Sequence, residues 1–156
     1  MISVDIPGFG ALRLAHLVVD FNGTLAENGV MLPGVPDLLR DLSSVLAIHV
    51  VTADTFGSAA RQLAGLPVNL EVLGADGQGP AKRAYVIGLS ADSVVAIGNG
   101  RNDEAMLKTA ALGIALIQGE GAATATINAA TAVCPGIVAA LEMLKYPVRL
   151  TATLRA

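Results

Sequence analysis

The sequence predicts a three-layer α/β fold, in which a parallel β-sheet lies between two layers of helices. Short apolar runs rich in Val, Ile and Leu alternate with segments of helical periodicity, which is the pattern of successive βαβ units. The chain has 156 residues, 53% of them hydrophobic and only 3% aromatic, and this composition fits one core of aliphatic side chains. We therefore predict a single Rossmann-like domain over residues 1–156.

The chain is predicted to begin with a hairpin. Two alternating segments within residues 1–14 flank a stretch that contains Pro7 and two glycines, which is typical of a tight turn. Strands follow near 15–20, 47–52, 68–73, 94–98 and 112–117, each rich in Val, Ile or Leu and bounded by Gly, Asp or Asn. We expect these strands to form the parallel sheet.

Helices are predicted in the intervals between the strands, near 34–44, 57–65, 80–89, 102–111 and 136–145. In the first helix, the apolar residues share one face, and Pro36 lies in the opening turn, where its missing N–H is tolerated. The segment TAVCPG predicts an edge strand before the last helix. The tail 146–156 alternates weakly and is predicted to be either a strand or disordered.

Charge and composition argue against several classes of function. The net charge is −3 and the basic residues are scattered, so we predict neither a nucleic-acid surface nor a polybasic membrane patch. No apolar run reaches the roughly 18 residues of a membrane span, and no signal-peptide pattern is present. Cys134, the only cysteine, has no partner for an internal disulfide. We expect a cytoplasmic protein, and the surplus of aliphatic residues predicts a homo-oligomer.

Polar residues collect where the predicted strands end. In a parallel α/β sheet, ligands bind outside the carboxyl ends of the strands, next to helix N-termini with free N–H groups. The first, second and fourth strands run into DFNGTL (20–25), VTADT (51–55) and GNGRND (98–103), and Lys82 begins the helix before the fourth strand. These residues suit phosphoryl transfer: a carboxylate attacks phosphorus, a divalent cation offsets the charge repulsion, and hydroxyl, N–H and ammonium donors hold the phosphate oxygens.

The same segments, with Lys82 between the last two, resemble the four motifs of the haloacid dehalogenase superfamily in the expected order. Within that superfamily, TADTFGSAARQLA and GNGRNDEAMLKTAALGIAL are most similar to the phosphorylation domain of P-type ATPases, without their membrane spans or nucleotide domain. Soluble P-type-ATPase-like proteins are therefore the nearest comparison. The resemblance covers about residues 15–117 and implies a Mg²⁺-dependent phosphohydrolase.

The resemblance implies a role for each motif residue. Asp20 is implied as the nucleophile, and the implied catalytic set is Asp20, Asn22, Thr52 and Lys82. The residues implied to bind the phosphate are Gly23, Thr52, Ala53 and Lys82. The implied metal site consists of Asp20, the backbone carbonyl of Asn22, Asn99 and Asp103, and its oxygen ligands suit Mg²⁺.

Two positions depart from the pattern of the family's phosphatases. Asn22 stands where they place an acid/base aspartate, and an amide neither protonates a leaving group nor activates water. Asn99 stands where the fourth motif usually carries a metal-binding aspartate, so it offers only a neutral oxygen. Because general acid–base catalysis contributes about 10²–10⁴-fold, we predict slow turnover and a preference for good leaving groups such as an acyl phosphate or a nucleoside diphosphate.

The intervals between the motifs leave no room for a cap domain. Thirty-one residues separate Asp20 from Thr52 and twenty-nine separate Thr52 from Lys82, enough for one helix, one strand and their loops in each interval. We expect the site to be open to a phosphorylated small molecule or macromolecule unless a neighbouring subunit covers it.

The sequence also bears on two other functions and on the roles of three further residues. The two amide replacements also fit a catalytically silent member of the fold, which keeps the phosphate site for binding or assembly. A receiver domain phosphorylated by a kinase needs an acidic pair after the first strand and a later phosphoacceptor, and the sequence has neither. Asp54 is interpreted as a helix cap, and His16 and His49 as packing residues inside strands.

Overall fold

The computed structural model describes residues 1–156. The strands are β1 (Ile2–Ile6), β2 (Gly10–Leu14), β3 (His16–Asp20), β4 (Ala26–Glu27), β5 (Val30–Met31), β6 (Ala47–Thr52), β7 (Asn69–Val72), β8 (Val94–Gly98), β9 (Leu112–Leu116) and β10 (Ala132–Cys134). The helices are α1 (Val35–Leu42), α2 (Ser58–Leu63), α3 (Gln78–Gly88), α4 (Glu104–Thr109), α5 (Thr124–Ala129), α6 (Ile137–Lys145) and α7 (Val148–Leu154).

Six strands form a parallel sheet in the order β10-β9-β8-β3-β6-β7. The central strand β3 pairs with β6 on one side and with β8 on the other. The register sets Asp20 opposite Val51 and Val19 opposite Ile97, so the three strands end at the same edge of the sheet. The segments that follow β3, β6 and β8 therefore meet at this edge, which we call the rim.

Both faces of the sheet are covered by helices. Leu17 and Val19 of β3 face a core that includes residues of α1 and α6, whereas Val18 faces a smaller core with residues of α3 and α4. Each fully buried Val, Leu or Ile stabilises the fold by about 1.5–3 kcal/mol. Burial on both faces also explains why the strands read as continuous apolar runs rather than as alternating ones.

The predicted hairpin, sheet strands, edge strand and five helices are confirmed, with boundaries that differ by a few residues. The prediction for the tail was wrong, because residues 148–154 form α7. Leu150 of this helix is fully buried in the core, and the Ala156 N–H donates to the Pro7 carbonyl at 3.0 Å. Packing against the N-terminal hairpin therefore decides the structure of a segment whose β-branched residues give no clear helical signal.

Two elements were absent from the sequence predictions: the small hairpin β4–β5 and helix α5. The hairpin turns at Asn28-Gly29, where both residues have positive φ, 52° and 76°. Asn-Gly is the sequence signal for such a turn, but the strands on either side have only two residues each. None of the helices has both the length and the apolar stretch needed to span a membrane.

Candidate active site

Asp20 ends the central strand with its side chain only 12% exposed. One carboxylate oxygen, Oδ1, accepts a hydrogen bond from the Phe21 N–H at 2.9 Å and lies 3.3 Å from Nζ of Lys82. The other oxygen, Oδ2, has no partner in the protein, and no buried side-chain oxygen or nitrogen is left unsatisfied. Oδ2 is therefore the oxygen that is open to the rim.

Lys82 lies in the second turn of α3 and is completely buried. Its Nζ is 2.8 Å from Oδ1 of Asp103 and 3.3 Å from Oδ1 of Asp20, so two carboxylates share one ammonium group. Burial alone lowers the pKa of Lys82, but the carboxylates of Asp103 and Asp20 together raise it above its ordinary value. Lys82 is therefore charged at neutral pH.

The environment of Asp20 disfavours its charge. Burial and the nearby Asp103 carboxylate raise the pKa of Asp20 to about 7, although Lys82 and the Phe21 N–H act in the opposite direction. A further positive charge beside Asp20 would therefore stabilise the ionised form of its carboxyl group.

Asp103 is fully buried and uses both of its oxygens within the protein. Oδ1 accepts from Lys82, and Oδ2 accepts from the N–H groups of Asn99 and Gly100, each at 3.0 Å. Gly98 makes this arrangement possible, because a Cβ at that position would overlap the Asp103 carboxyl group. Asp103 holds Lys82 in place and does not line the cavity, so its role as a metal ligand stays a prediction.

Asn99 connects three loops at the rim. Its side-chain oxygen accepts a hydrogen bond from the Thr24 hydroxyl at 3.3 Å, and its side-chain nitrogen donates to the Gly121 carbonyl at 3.0 Å. The neighbouring Gly100 carbonyl accepts from the Thr126 hydroxyl at 2.7 Å. The loop after β8 is consequently fixed to the loops after β3 and β9.

A cavity of about 310 Å³ opens at the rim. It contains five of the predicted site residues and four others, and its lining is Asp20, Asn22, Thr52, Ala53, Gln78, Asn99, Gly100, Asn102 and Glu120. Lys82 and Asp103 lie behind Asp20. The Ala53 N–H has no acceptor within the protein, and the Thr52 hydroxyl accepts from the Asp54 N–H at 3.3 Å.

The structure gives no support to the predicted role of Gly23 as a hydrogen-bond donor to phosphate. Its N–H donates to the Ala26 carbonyl at 2.8 Å, which leaves Gly23 without a free donor for phosphate. Its φ is 75°, and a Cβ there would overlap the carboxylate of Glu120. Glycine is required at this position by backbone conformation and by close approach of a side chain.

Two residues of the rim, Gln118 and Glu120, were not identified from the sequence. The Gln118 side chain donates to the carbonyls of Gly23 and Thr24 at 2.9 and 2.8 Å and accepts from the Ile137 N–H at 2.9 Å. Both residues follow β9. Their position after the end of a sheet strand is the one feature of the sequence that indicates a place in the site. No motif marks this loop.

A second cavity of about 430 Å³ adjoins the first and shares Asn22 and Ala53 with it. It lies between the β4–β5 turn and the loop after β6, and its lining is Asn22, Asn28, Gly29, Ala53, Asp54, Thr55, Phe56 and Ser58. Phe56 is 85% exposed. The carboxylate of Asp54 is turned toward α2, where it accepts hydrogen bonds from the Ala59 and Ala60 N–H groups and caps the helix.

The two histidines lie away from the rim. His16 is at the opposite end of β3 from Asp20, and its Nδ1 is 3.1 Å from Nε2 of His49. His49 Nδ1 in turn lies 2.9 Å from the Tyr85 hydroxyl. Burial and the adjacent His16 lower the pKa of His49, so the pair fits a packing role.

The donors around the first cavity suit a hard divalent cation. The side chains there offer carboxylate and amide oxygens, from Asp20, Asn22, Asn99 and Glu120, and neither sulfur nor imidazole. Magnesium prefers such oxygen ligands and retains several waters. No three His, Cys, Asp or Glu side chains come together as a metal-binding group, so a cation at this site would have both carboxylate and amide ligands.

Comparisons of the sequence give two matches. A model of a family described as haloacid dehalogenase-like hydrolase matches residues 79–135, a stretch that includes Lys82, Asn99 and Asp103. An uncharacterised protein from Methanocaldococcus jannaschii is 48% identical over 62 residues, which are 40% of this chain and 67% of that protein.

Solved structures with 15–21% identity share the fold. The cobalt-bound deoxy-D-mannose-octulosonate 8-phosphate phosphatase of Haemophilus influenzae has a TM-score of 0.71 at 16% identity, and the match covers 91% of both chains. The 3-deoxy-D-manno-octulosonate 8-phosphate phosphatase of Moraxella catarrhalis, in complex with magnesium, phosphate and a KDO molecule, has a TM-score of 0.66 at 15% identity, covering 90% of this chain and 89% of that one. A zinc-transporting PIB-type ATPase has a TM-score of 0.63 at 21% identity, covering 79% of this chain but only 20% of the ATPase.

Proposed function

We propose that the chain, which matches a haloacid dehalogenase-like hydrolase family over residues 79–135 and shares the fold of known phosphatases, is a magnesium-dependent phosphohydrolase that works slowly through an aspartyl-phosphate on Asp20. One observation carries the proposal. A fully buried Lys82, fixed by Asp103, holds one oxygen of Asp20 while the other oxygen is open to a cavity of about 310 Å³.

The first step uses the open oxygen of Asp20. Oδ2 attacks phosphorus, the bond between phosphorus and the leaving-group oxygen breaks, and the leaving group departs with the electron pair. The Thr52 hydroxyl and the Ala53 N–H are the donors in the cavity that hold the phosphoryl oxygens, while Lys82 stabilises the Asp20 carboxylate from behind and its contact with phosphate stays a prediction. Asp20, the backbone carbonyl of Asn22 and Asn99 would hold a Mg²⁺ ion, which would offset the charge repulsion between carboxylate and phosphate.

The second step is hydrolysis of the phosphorylated Asp20. Water attacks phosphorus, the bond to the carboxylate oxygen breaks, and inorganic phosphate and the free Asp20 carboxylate result. Asn22 lines the cavity but carries no acidic proton and no basic oxygen, so it accelerates neither step by proton transfer. We expect the phosphorylated form to persist, and substrates whose leaving groups need no protonation to react fastest.

The open cavity and the related folds suggest the class of substrate. The two phosphatases that share the fold are named for a phosphorylated sugar acid, and a phosphorylated small molecule is the substrate class we propose here, with a phosphorylated macromolecule as the other possibility. The predicted cytoplasmic location and self-association stay predictions.

The proposal is tested with acetyl phosphate, which has a good leaving group, in the presence of saturating Mg²⁺. We expect intact-protein mass spectrometry to find a phosphoryl adduct on the wild-type chain, peptide mapping to locate it at Asp20, and a phosphate assay to detect slow release. Asp20→Asn should show neither adduct nor release. Asp92→Asn is the matched control, because Asp92 is exposed and precedes β8 at the opposite end of the sheet.

The outcomes separate two functions. Adduct formation with phosphate release supports the phosphohydrolase. The absence of any adduct on the wild-type chain would contradict it and support a catalytically silent module, which the amides Asn22 and Asn99 in place of two acids also favour.

A further inference from the structure

Glu120 is an acidic residue of the cavity wall that lies outside every motif. It follows β9 and lines the same cavity as Asp20 and Asn99. Its side chain is exposed, and its carboxylate contacts Gly23 of the loop after β3. No lysine, arginine or histidine forms an ion pair with it, because all six salt bridges of the protein involve other acids.

The other acids near the cavity are already neutralised. Both oxygens of Asp103 accept hydrogen bonds from Lys82 and from backbone N–H groups, and this side chain is fully buried. Asp20 gives one oxygen to the same lysine. A cation in the cavity would therefore meet a single free carboxylate oxygen from Asp20, together with neutral amide oxygens, and such a ligand set binds a dication weakly.

Glu120 lies close to the loop that carries Asp20 and Asn22. A Cβ on Gly23 would overlap the Glu120 carboxylate and would lie 3.3 Å from the side-chain nitrogen of Asn99. The carboxylate of Glu120 and the amide of Asn99 therefore lie close to the same point of the loop that carries Asp20 and Asn22. We propose that Glu120 is a ligand of the divalent cation at Asp20 and supplies the negative charge that Asn99 lacks, an inference that rests on the proposed function.

The test measures metal binding directly, with Mn²⁺ as the probe and the electron paramagnetic resonance signal of free Mn²⁺ as the readout. Glu120→Gln should weaken Mn²⁺ binding by about tenfold or more, because loss of a group outside the ligand shell already costs about 10–100-fold at many sites. Glu120→Asp should have a smaller effect, since it keeps the charge. Asp92→Asn removes the same charge from the far end of the sheet and should bind Mn²⁺ as the wild type does.

A compensating variant separates a ligand from a residue that merely shapes the loop. Asn99→Asp combined with Glu120→Gln restores a second carboxylate beside Gly23 and should recover most of the lost Mn²⁺ affinity. A larger gain in Mn²⁺ affinity from Asn99→Asp in the Glu120→Gln background than in the wild type supports the inference, because it shows that the two carboxylates replace one another. If the double variant stays as weak as Glu120→Gln alone, the charge of Glu120 is not what binds the cation, and the inference falls.

The remaining outcomes distinguish this inference from the proposed function. If Asp20→Asn loses Mn²⁺ while Glu120→Gln retains wild-type affinity, the cation site at Asp20 stands and Glu120 is not its ligand. Slower dephosphorylation at unchanged Mn²⁺ affinity would likewise overturn the inference and indicate proton transfer by Glu120. If the wild-type chain binds no Mn²⁺, both the inference and the metal dependence of the proposed function fail.

Discussion

The rim of the sheet has two halves that are built differently. In the half formed by the loops after β3, β8 and β9, which we call the bonded half, side chains and backbone are joined by hydrogen bonds and an internal ion network. In the half formed by residues 53–58 and the β4–β5 turn, which we call the open half, the second cavity is lined by side chains that face solvent. The difference indicates that the fold fixes the groups around Asp20 on the side of the bonded half, whereas the groups on the far side of Asn22 are held by few contacts.

The bonded half gains its order from residues that bridge loops. Gln118 holds two carbonyls of the loop after β3, and Asn99 joins that loop to the one after β9. Each such hydrogen bond contributes about 0.5–1.5 kcal/mol to stability. Together they hold the donors and acceptors around Asp20 in one arrangement, which is the preorganisation that charge stabilisation in a reaction requires.

The open half has few such contacts. Asp54 is turned toward the backbone of α2, and Phe56 presents 85% of its surface to solvent. This half therefore offers exposed amide, hydroxyl and aromatic groups next to Asn22 without fixing them.

The largest expected effect comes from breaking the ion network of the bonded half. Lys82→Met leaves the Asp103 carboxylate buried with only backbone donors, and we expect a loss of about 3–5 kcal/mol in the free energy of unfolding. Phosphorylation of Asp20 should also disappear. Urea denaturation followed by circular dichroism measures the first effect. Lys108→Met is the control, because Lys108 is exposed on α4, and equal stability of the two variants would contradict the network's role.

Asn22→Asp is expected to have the next largest effect, an increase in phosphate release. Asn22 lies on both cavities, where a carboxyl group would protonate the leaving group and later activate water. We expect turnover to rise by about 10²-fold, the lower end of what general acid–base catalysis contributes. The measurement is steady-state phosphate release with an alkyl phosphate at saturating Mg²⁺.

The control for this change is Asn28→Asp, which adds the same charge to the second cavity only. It should leave turnover unchanged. A similar increase in both variants would mean that charge in the open half, and not an acid at position 22, accelerates the reaction.

Most of the fold was predictable because it is encoded in local patterns. The apolar runs that became β3, β6 and β8 are buried on both faces, and the turn residues after them mark their ends. Helix α7 was mispredicted, because its structure depends on the packing of Leu150 into a core that local sequence does not describe. Tertiary contacts overrode a weak local preference there.

The site was predictable to the extent that strand ends determine it. Asp20, Thr52 and Asn99 meet because the three strands that precede them are neighbours, and spacing along the chain is enough to indicate this. Whether a given oxygen faces the cavity or the interior depends on side-chain packing, so the sequence did not separate the buried Asp103 from the accessible Asp20. The contact of Glu120 with Gly23 and the hydrogen bond from the Gly23 N–H to Ala26 depend on packing in the same way, although the position of Glu120 after β9 is visible in the sequence.

A smaller effect is expected when one bridge of the bonded half is removed. Gln118→Ala leaves the Gly23 and Thr24 carbonyls and the Ile137 N–H without their side-chain partner, and we expect a loss of about 1–3 kcal/mol in the free energy of unfolding. Denaturation with urea measures it. Gln62→Ala is the control, because Gln62 accepts a single hydrogen bond, from the Met31 N–H, at an exposed site. A loss for Gln118→Ala no larger than for Gln62→Ala would show that the bridge adds little order.

The smallest effect is expected in the open half, from Phe56→Ser. Because Phe56 is 85% exposed, its loss should change the free energy of unfolding by no more than about 0.5 kcal/mol. Hydrolysis of acetyl phosphate, whose leaving group has no aromatic ring, should stay the same, whereas KM for an aryl phosphate should rise by a few-fold as aromatic contact worth about 0.5–1.5 kcal/mol is lost. Val148→Ser, an exposed apolar residue on α7, should change neither. If Phe56→Ser slowed the hydrolysis of both phosphates equally, the loop after β6 would belong with the bonded half. The open half would then make no contact that distinguishes one leaving group from another.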